Sequence, residues 1–340
     1  MDIKKKHHFV SQFYLKNWLS ENRKLYVWDG KDKIFSSATD GIGYRKNFYK
    51  IERLKPKQIE FLKLFITHCK FENLSTYKLV IKSILETQVM FNNSEKIIEI
   101  LGIKKEDYIE IFEEIENLKQ SFSSNTIEDK FSDDEASFSN VLSKIISSDR
   151  NINITLRDYD TIVHFIAFQL GKTPQKFERI TNDDGSERRA KLIEKYQFTD
   201  KEYHTYTLYS ILCLIEQIYL SSLGNLDKIN IYYNNSNINF ITSDDPCFNQ
   251  KIEEKKLHIQ IPISPKIMIE LIENNDKNKN EFLNYYNYNK DYAESIIVND
   301  HLINFFDISK NEVEILNKKI LDNKHQFIYA TCKEDIENLK

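Results

Sequence analysis

Two histidines behind three lysines are the first residues whose types suggest chemistry: Lys4-Lys5-Lys6-His7-His8-Phe9-Val10-Ser11-Gln12. Imidazole titrates near neutrality, so His7 and His8 suit proton transfer or metal ligation. A helix starting near Val10 would set free N–H groups beside the rings. Together with Lys6, that start favours an anion such as phosphate. The structural alternative packs one histidine under Trp18 and leaves the other in water. A second block, Phe240-Ile241-Thr242-Ser243-Asp244-Asp245-Pro246, reads as a buried strand stopped by Pro246. A carboxylate at such an exit is rigid yet reaches solvent, so Asp244 suits a divalent cation or the orienting of a histidine. An Asx-turn that only builds the corner uses the same residues. A third block carries His164, Gln169 and Lys172 on or just after an apolar helix. The polar groups there need partners, either in a site or in the core, because an unpaired buried one costs about 1–3 kcal/mol. Lys172 either meets an anion or neutralises the helix C-terminus.

Other chemistries lack their signatures. There is no Gly-rich phosphate loop, HExxH, GxSxG or paired CxxC, which removes common nucleotide kinases, zincins, α/β-hydrolases and zinc ribbons. Cys69, Cys213, Cys247 and Cys332 lie far apart, as reduced thiols of a cytoplasmic protein do. A net charge of −4 excludes nucleic-acid binding by bulk positive field and leaves room for a local basic patch. No apolar run approaches the roughly 18 residues that span a bilayer, and the charged start lacks a signal-peptide core, so no membrane partner is expected.

The elements that must position these groups follow from patterning. With 340 residues, 22 Phe and 19 Tyr, the chain can bury a substantial core. Leu25–Trp28 and Lys33–Phe35 flank Asp29-Gly30, a hairpin signal. Residues 57–148 and 156–223 are helical in pattern, interrupted by a polar Ser121–Ser139 connection rich in Ser, Asp and Glu. Ile229–Tyr233, Ile238–Thr242, Leu257–Ile261, Ile267–Leu271 and Gln326–Ala330 read as strands, and Tyr288–Phe306 as a helix. The expected class is α+β, with a helical centre and a small, mostly antiparallel sheet drawn from both ends. Three consecutive segments are expected, 1–55, 56–224 and 225–340, the last carrying the Thr-Ser-Asp-Asp-Pro motif.

His7-His8-Phe9-Val10-Ser11-Gln12-Phe13-Tyr14-Leu15-Lys16-Asn17-Trp18 closely resembles the opening of the DUF4238 family, a set of bacterial and phage proteins of unknown function. Phe165–Pro174, Phe240–Pro246 and Ile261-Pro262-Ile263-Ser264-Pro265 are similar to its later blocks, in the same order. Ser11 stands where that family usually has Pro, and Lys172 where Arg is usual, which turns a bidentate anion grip into a point-charge contact. The resemblance implies a fold and recurring polar residues, and no activity.

Two functional expectations result. One is a hydrolase acting on phosphodiesters or nucleotides, a metal-dependent nuclease or phosphodiesterase of a phage-defence or toxin system. In it His7, His8, Gln12 and Asp244 are catalytic, Lys6, Gln169, Lys172 and Ser243 bind substrate, and Asp244 with His8 holds Mg²⁺ or Mn²⁺. The other is a non-catalytic binding or sensing protein of a defence or stress module, with a protein of the same operon as partner, in which the same residues fix the packing.

Overall fold

The computed structural model describes residues 2–31, 33–68, 76–148, 152–183, 185–250, 256–276 and 293–339. In chain order the first elements are β1 (Lys6–His8), α1 (Gln12–Leu15), β2 (Leu25–Trp28), β3 (Ile34–Ser37) and β4 (Tyr44–Lys46). Seven helices follow: α2 (Pro56–His68), α3 (Thr76–Ile100), α4 (Ile109–Ser147), α5 (Leu156–Gly171), α6 (Pro174–Asp183), α7 (Gly185–Tyr196) and α8 (Asp200–Asn225). Then come β5 (Lys228–Asn234), β6 (Thr242–Ser243), β7 (Phe248–Asn249), β8 (His258–Ser264), β9 (Ile267–Ile272) and β10 (Ile303–Ile308). The chain closes with α9 (Lys310–Asn323), β11 (Ile328–Ala330) and α10 (Lys333–Glu337). The class is α+β.

Two compact units divide the chain. One is Met1–His7, Arg45–Ser132 and Lys176–Gln217; the other is His8–Tyr44, Asp133–Gln175 and Ile218–Lys340. The units interleave, where the sequence reading set three consecutive segments.

The first unit is helical. Ile59, Leu62 and Ile66 on α2 and Ile81, Ile84 and Leu85 on α3 are buried, the i, i+3, i+4, i+7 stripe of core-facing helices. Tyr203, Tyr206, Tyr209 and Leu212 line the buried side of α8. Among the described residues α8 is also the one helix long and apolar enough to cross a membrane, and half of its apolar window is buried inside the protein.

Two sheets organise the second unit. The first runs β3-β2-β11-β6 and is antiparallel throughout, so the late strand β11 lies between β2 and β6. The hairpin joining β2 to β3 turns at Gly30, whose φ of 79° is open to glycine without strain. The second sheet runs β10-β5-β9-β8-β7, with β10 parallel to β5 and the remaining pairs antiparallel. One of its faces is apolar: Ile229, Ile231, Ile259, Ile261, Ile269 and Leu271 are all buried, the period of two expected of strands. The other face gives Met268, Phe248 and Ile308 to a core shared with Val313, Leu316 and Ile320 of α9 and with Trp28 and Ile328 of the first sheet.

Two expected elements differ. Ser121–Ser139 is not a connection but the middle of α4. Ile127, Phe131, Phe138, Leu142 and Ile145 are buried at spacings of three, four and seven, so a thin apolar stripe holds the helix while Ser, Asp and Glu occupy its other faces. The expected helix over Tyr288–Phe306 lies partly outside the described residues, and its end is strand β10. Residues 302–306 satisfy either period, and pairing with β5 decides for the strand.

Candidate functional site

The N-terminal block and the end of α5 meet in the second unit. α5 begins in a capping box, with Thr155 and Asp158 satisfying each other's backbone N–H groups. It ends at Gly171, where Pro174 forbids continuation and starts α6 instead. That stop places Lys172, fully buried, with its ammonium 2.6 Å from Glu135 Oε1 and 2.9 Å from Ser11 Oγ, over the Phe168 ring at 4.2 Å. Ser11 Oγ also donates to Glu135 Oε1 at 2.7 Å. This explains why α1 starts at Gln12 without a side-chain cap: the Ser11 hydroxyl is spent on the ion pair. Gln169 Nε2 donates to the Phe9 carbonyl at 3.2 Å, and its Oε1 is buried with no hydrogen-bond partner among the described residues.

The strand-exit block joins the same cluster. Thr173 Oγ1 donates to Asp245 Oδ1 at 2.9 Å, and the Asp245 N–H donates to Ser243 Oγ at 3.2 Å. Asp244 is 1% exposed. Its two oxygens accept the N–H groups of His325 (3.0 Å) and Gln326 (2.8 Å), the corner-building use of an aspartate. Burial pushes its carboxyl above the usual value, and these backbone donors act against that. No hydrogen bond joins Asp244 to His8 among the described residues.

The two histidines separate. His7 belongs to the helical unit, where its ring is fully buried and stacks on Tyr49 at 5.7 Å. Nδ1 accepts the Tyr49 N–H at 2.7 Å, so Nε2 carries the proton and donates to the Lys4 carbonyl at 3.2 Å. Burial lowers its pKa, against the opposing pull of the Lys4 carbonyl, and both nitrogens are committed. His8 belongs to the other unit, half-buried, with Nε2 3.2 Å from Gln12 Nε2 and its ring tilted against Tyr44. Lys6 is exposed. Of the proposed set, the structure therefore gathers Gln169, Lys172, Ser243 and Asp244 into sealed contacts of the second unit, and leaves His8, Gln12 and Lys6 nearer solvent.

One polar constellation escapes the block-by-block reading because strand register creates it. On the mixed face of the second sheet Asn304 lies beside Asn230, Asn230 beside Glu270, and Glu270 beside Gln260. Glu270 Oε2 accepts from Asn230 (2.8 Å) and Tyr232 (2.7 Å), and Oε1 accepts from His258 Nε2 (2.6 Å) and Gln260 (2.7 Å). Asn304 in turn donates to Asn230, while Lys319 donates to Gln250 and Gln250 to Gln260. Every donor points toward the carboxylate. Burial acts to raise the Glu270 pKa, but bonds from Asn230, His258, Tyr232 and Gln260 outweigh it and hold the group below its usual value. An ionised carboxylate only accepts, so His258 Nε2 donates to Glu270 Oε1. The strict alternation of Leu257–Ile261 marks His258 as a face residue, but its partner depends on pairing between strands.

Among the described residues no group of three or more His, Cys, Asp or Glu is arranged to hold a metal ion. The family model described as "Protein of unknown function (DUF4238)" matches residues 6–334. No curated protein and no solved structure matches the chain.

Proposed function

Starting from a chain that belongs to the DUF4238 family over nearly its whole length, we propose a non-catalytic binding or sensing protein whose recurring polar blocks hold its fold. The observation that supports this is the sealed cluster of the second unit. Lys172, Ser243 and Asp244 are buried and make their hydrogen bonds within the chain, and Gln169, also buried, gives its Nε2 to the Phe9 carbonyl. Reacting groups must instead lie within hydrogen-bond reach of a substrate.

The test pairs stability with turnover. Purified wild type, His8→Ala and Asp244→Ala are melted, then incubated with RNA, DNA and nucleotides, with and without Mg²⁺ or Mn²⁺. Asp244→Ala is expected to lower the melting temperature clearly, since two backbone donors lose their acceptor at about 1–3 kcal/mol each. His8→Ala should lower it less, and no sample should turn over substrate. Turnover by the wild type that either variant abolishes at an unchanged melting temperature would overturn the reading.

The sheet-face pair favours a second reading, a hydrolase of phosphodiesters or nucleotides in which His258 is the general base and Glu270 positions it. An imidazole held through one nitrogen by a carboxylate is the arrangement such a base needs. Turnover lost in His258→Ala and retained in His8→Ala would select this reading over the first.

A further inference from the structure

The helical unit holds a cavity of about 510 Å³, framed by residues 3–5 and 47–53 and by α3 and α4. This volume lies within the roughly 300–1,000 Å³ of pockets that take one small organic molecule. Its apolar wall carries Phe91 and Phe122, whose rings meet edge to face at 5.6 Å, together with buried Ile51. Four cations line it, Lys5, Lys50, Arg53 and Lys119, against two carboxylates, Glu52 and Glu116.

The cations are held in different ways. Lys119 reaches Glu95 at 2.6 Å and Glu116 at 2.9 Å, and Arg53 forks onto the same Glu95, so these two form a fixed wall. Lys50 makes one looser contact, 3.2 Å to Glu52, on a half-exposed side chain. Lys5 is exposed and pairs with no carboxylate among the described residues. Asn47, also on the lining, adopts a φ of 55°, a backbone region that asparagine tolerates better than most residues. The lining thus combines an aromatic wall with Lys5, which has no carboxylate partner among the described residues, with Lys50, held by one contact, and with the exposed residues Asn47 and Gln120.

We propose that this cavity binds a nucleotide, with the base against Phe91 and Phe122 and the phosphate drawn to Lys5 and Lys50. Aromatic side chains accept any base through its π-face, and a net positive lining supplies the anion contact. The inference gives a ligand class to the binding protein proposed above and rests on that reading.

Isothermal titration of the full chain with the four ribonucleoside 5′-monophosphates, with adenosine and with inorganic phosphate tests it. At least one monophosphate is expected to bind more tightly than either adenosine or phosphate alone, and more weakly as salt rises. Lys5→Glu/Lys50→Glu is expected to weaken that binding at least tenfold while its ligand-free melting temperature stays that of the wild type. Absence of binding by all four, equal binding by the double variant, or phosphate binding as tightly as the monophosphates would overturn the site. The same samples are assayed for breakdown of the added nucleotide. Breakdown would overturn the non-catalytic reading while leaving a confirmed cavity in place, so the two failures are told apart.

Discussion

Replacing Lys172 with methionine lowers the melting temperature by roughly 10 °C, the largest single effect expected in the second unit. The ammonium is fully buried and is the partner of the Glu135 carboxylate at 2.6 Å. Removing Lys172 strands the Glu135 charge; because about a fifth of the Glu135 side chain meets solvent (21%), the loss sits at the lower end of the buried-pair range, about 3 kcal/mol. Each kcal/mol moves the midpoint by roughly 2–4 °C in a domain of this size. Methionine keeps the aliphatic stem over Phe168, so the loss reports charge rather than packing. The control is Lys172→Met with Glu135→Gln, which removes both charges and is expected to recover much of the stability in thermal melts. A double variant as unstable as the single one would mean that the ion pair is not the cause.

Glu270→Gln is the second large effect, about 3 kcal/mol by urea titration at pH 7. An amide puts an NH2 group, two donors, where the carboxylate had an accepting oxygen, so it faces Asn230 and Tyr232, or His258 and Gln260, donor to donor. One buried donor left without an acceptor costs about 1–3 kcal/mol, and charge-assisted bonds are lost besides. The difference depends on pH with a defined sign. The folded protein holds the Glu270 pKa below its ordinary value of 4.5. The unfolded chain therefore binds the proton first on acidification, and the stability this carboxylate contributes is complete above that value. The gap between wild type and Glu270→Gln is expected to shrink as pH falls below 4.5 through the lowered value. A gap constant from pH 7 to pH 3 would show that the carboxylate is not ionised as described.

What the sequence made legible was local. Asp29-Gly30 marked the hairpin, alternation marked β5, β8 and β9, and Gly171 with Pro174 marked the end of α5. The three polar blocks do converge, since Lys172 meets Ser11 and Thr173 meets Asp245. What stayed hidden depends on elements meeting at long range. The α4 stripe uses five apolar residues among many polar ones, so its middle has the composition of a loop. Glu270 and His258 sit 12 positions apart and meet only because β8 and β9 pair in one register. Whether His7 works as a base or as a core imidazole is set by the Tyr49 amide, 42 residues away, which no spacing rule around His7 contains.

The place of β11 bears on how the chain reaches this fold. Trp28 pairs with Ile328, 300 residues later, and the same short strand supplies the partner of β6. A ribosome releases the first hairpin long before it delivers that partner, so β2 waits with one edge open through most of synthesis. Open edges recruit strands from other chains, and distant pairings form slowly. Chains ending before residue 328 are expected to precipitate during translation, with Ile328–Ala330 acting as the closure of the first sheet.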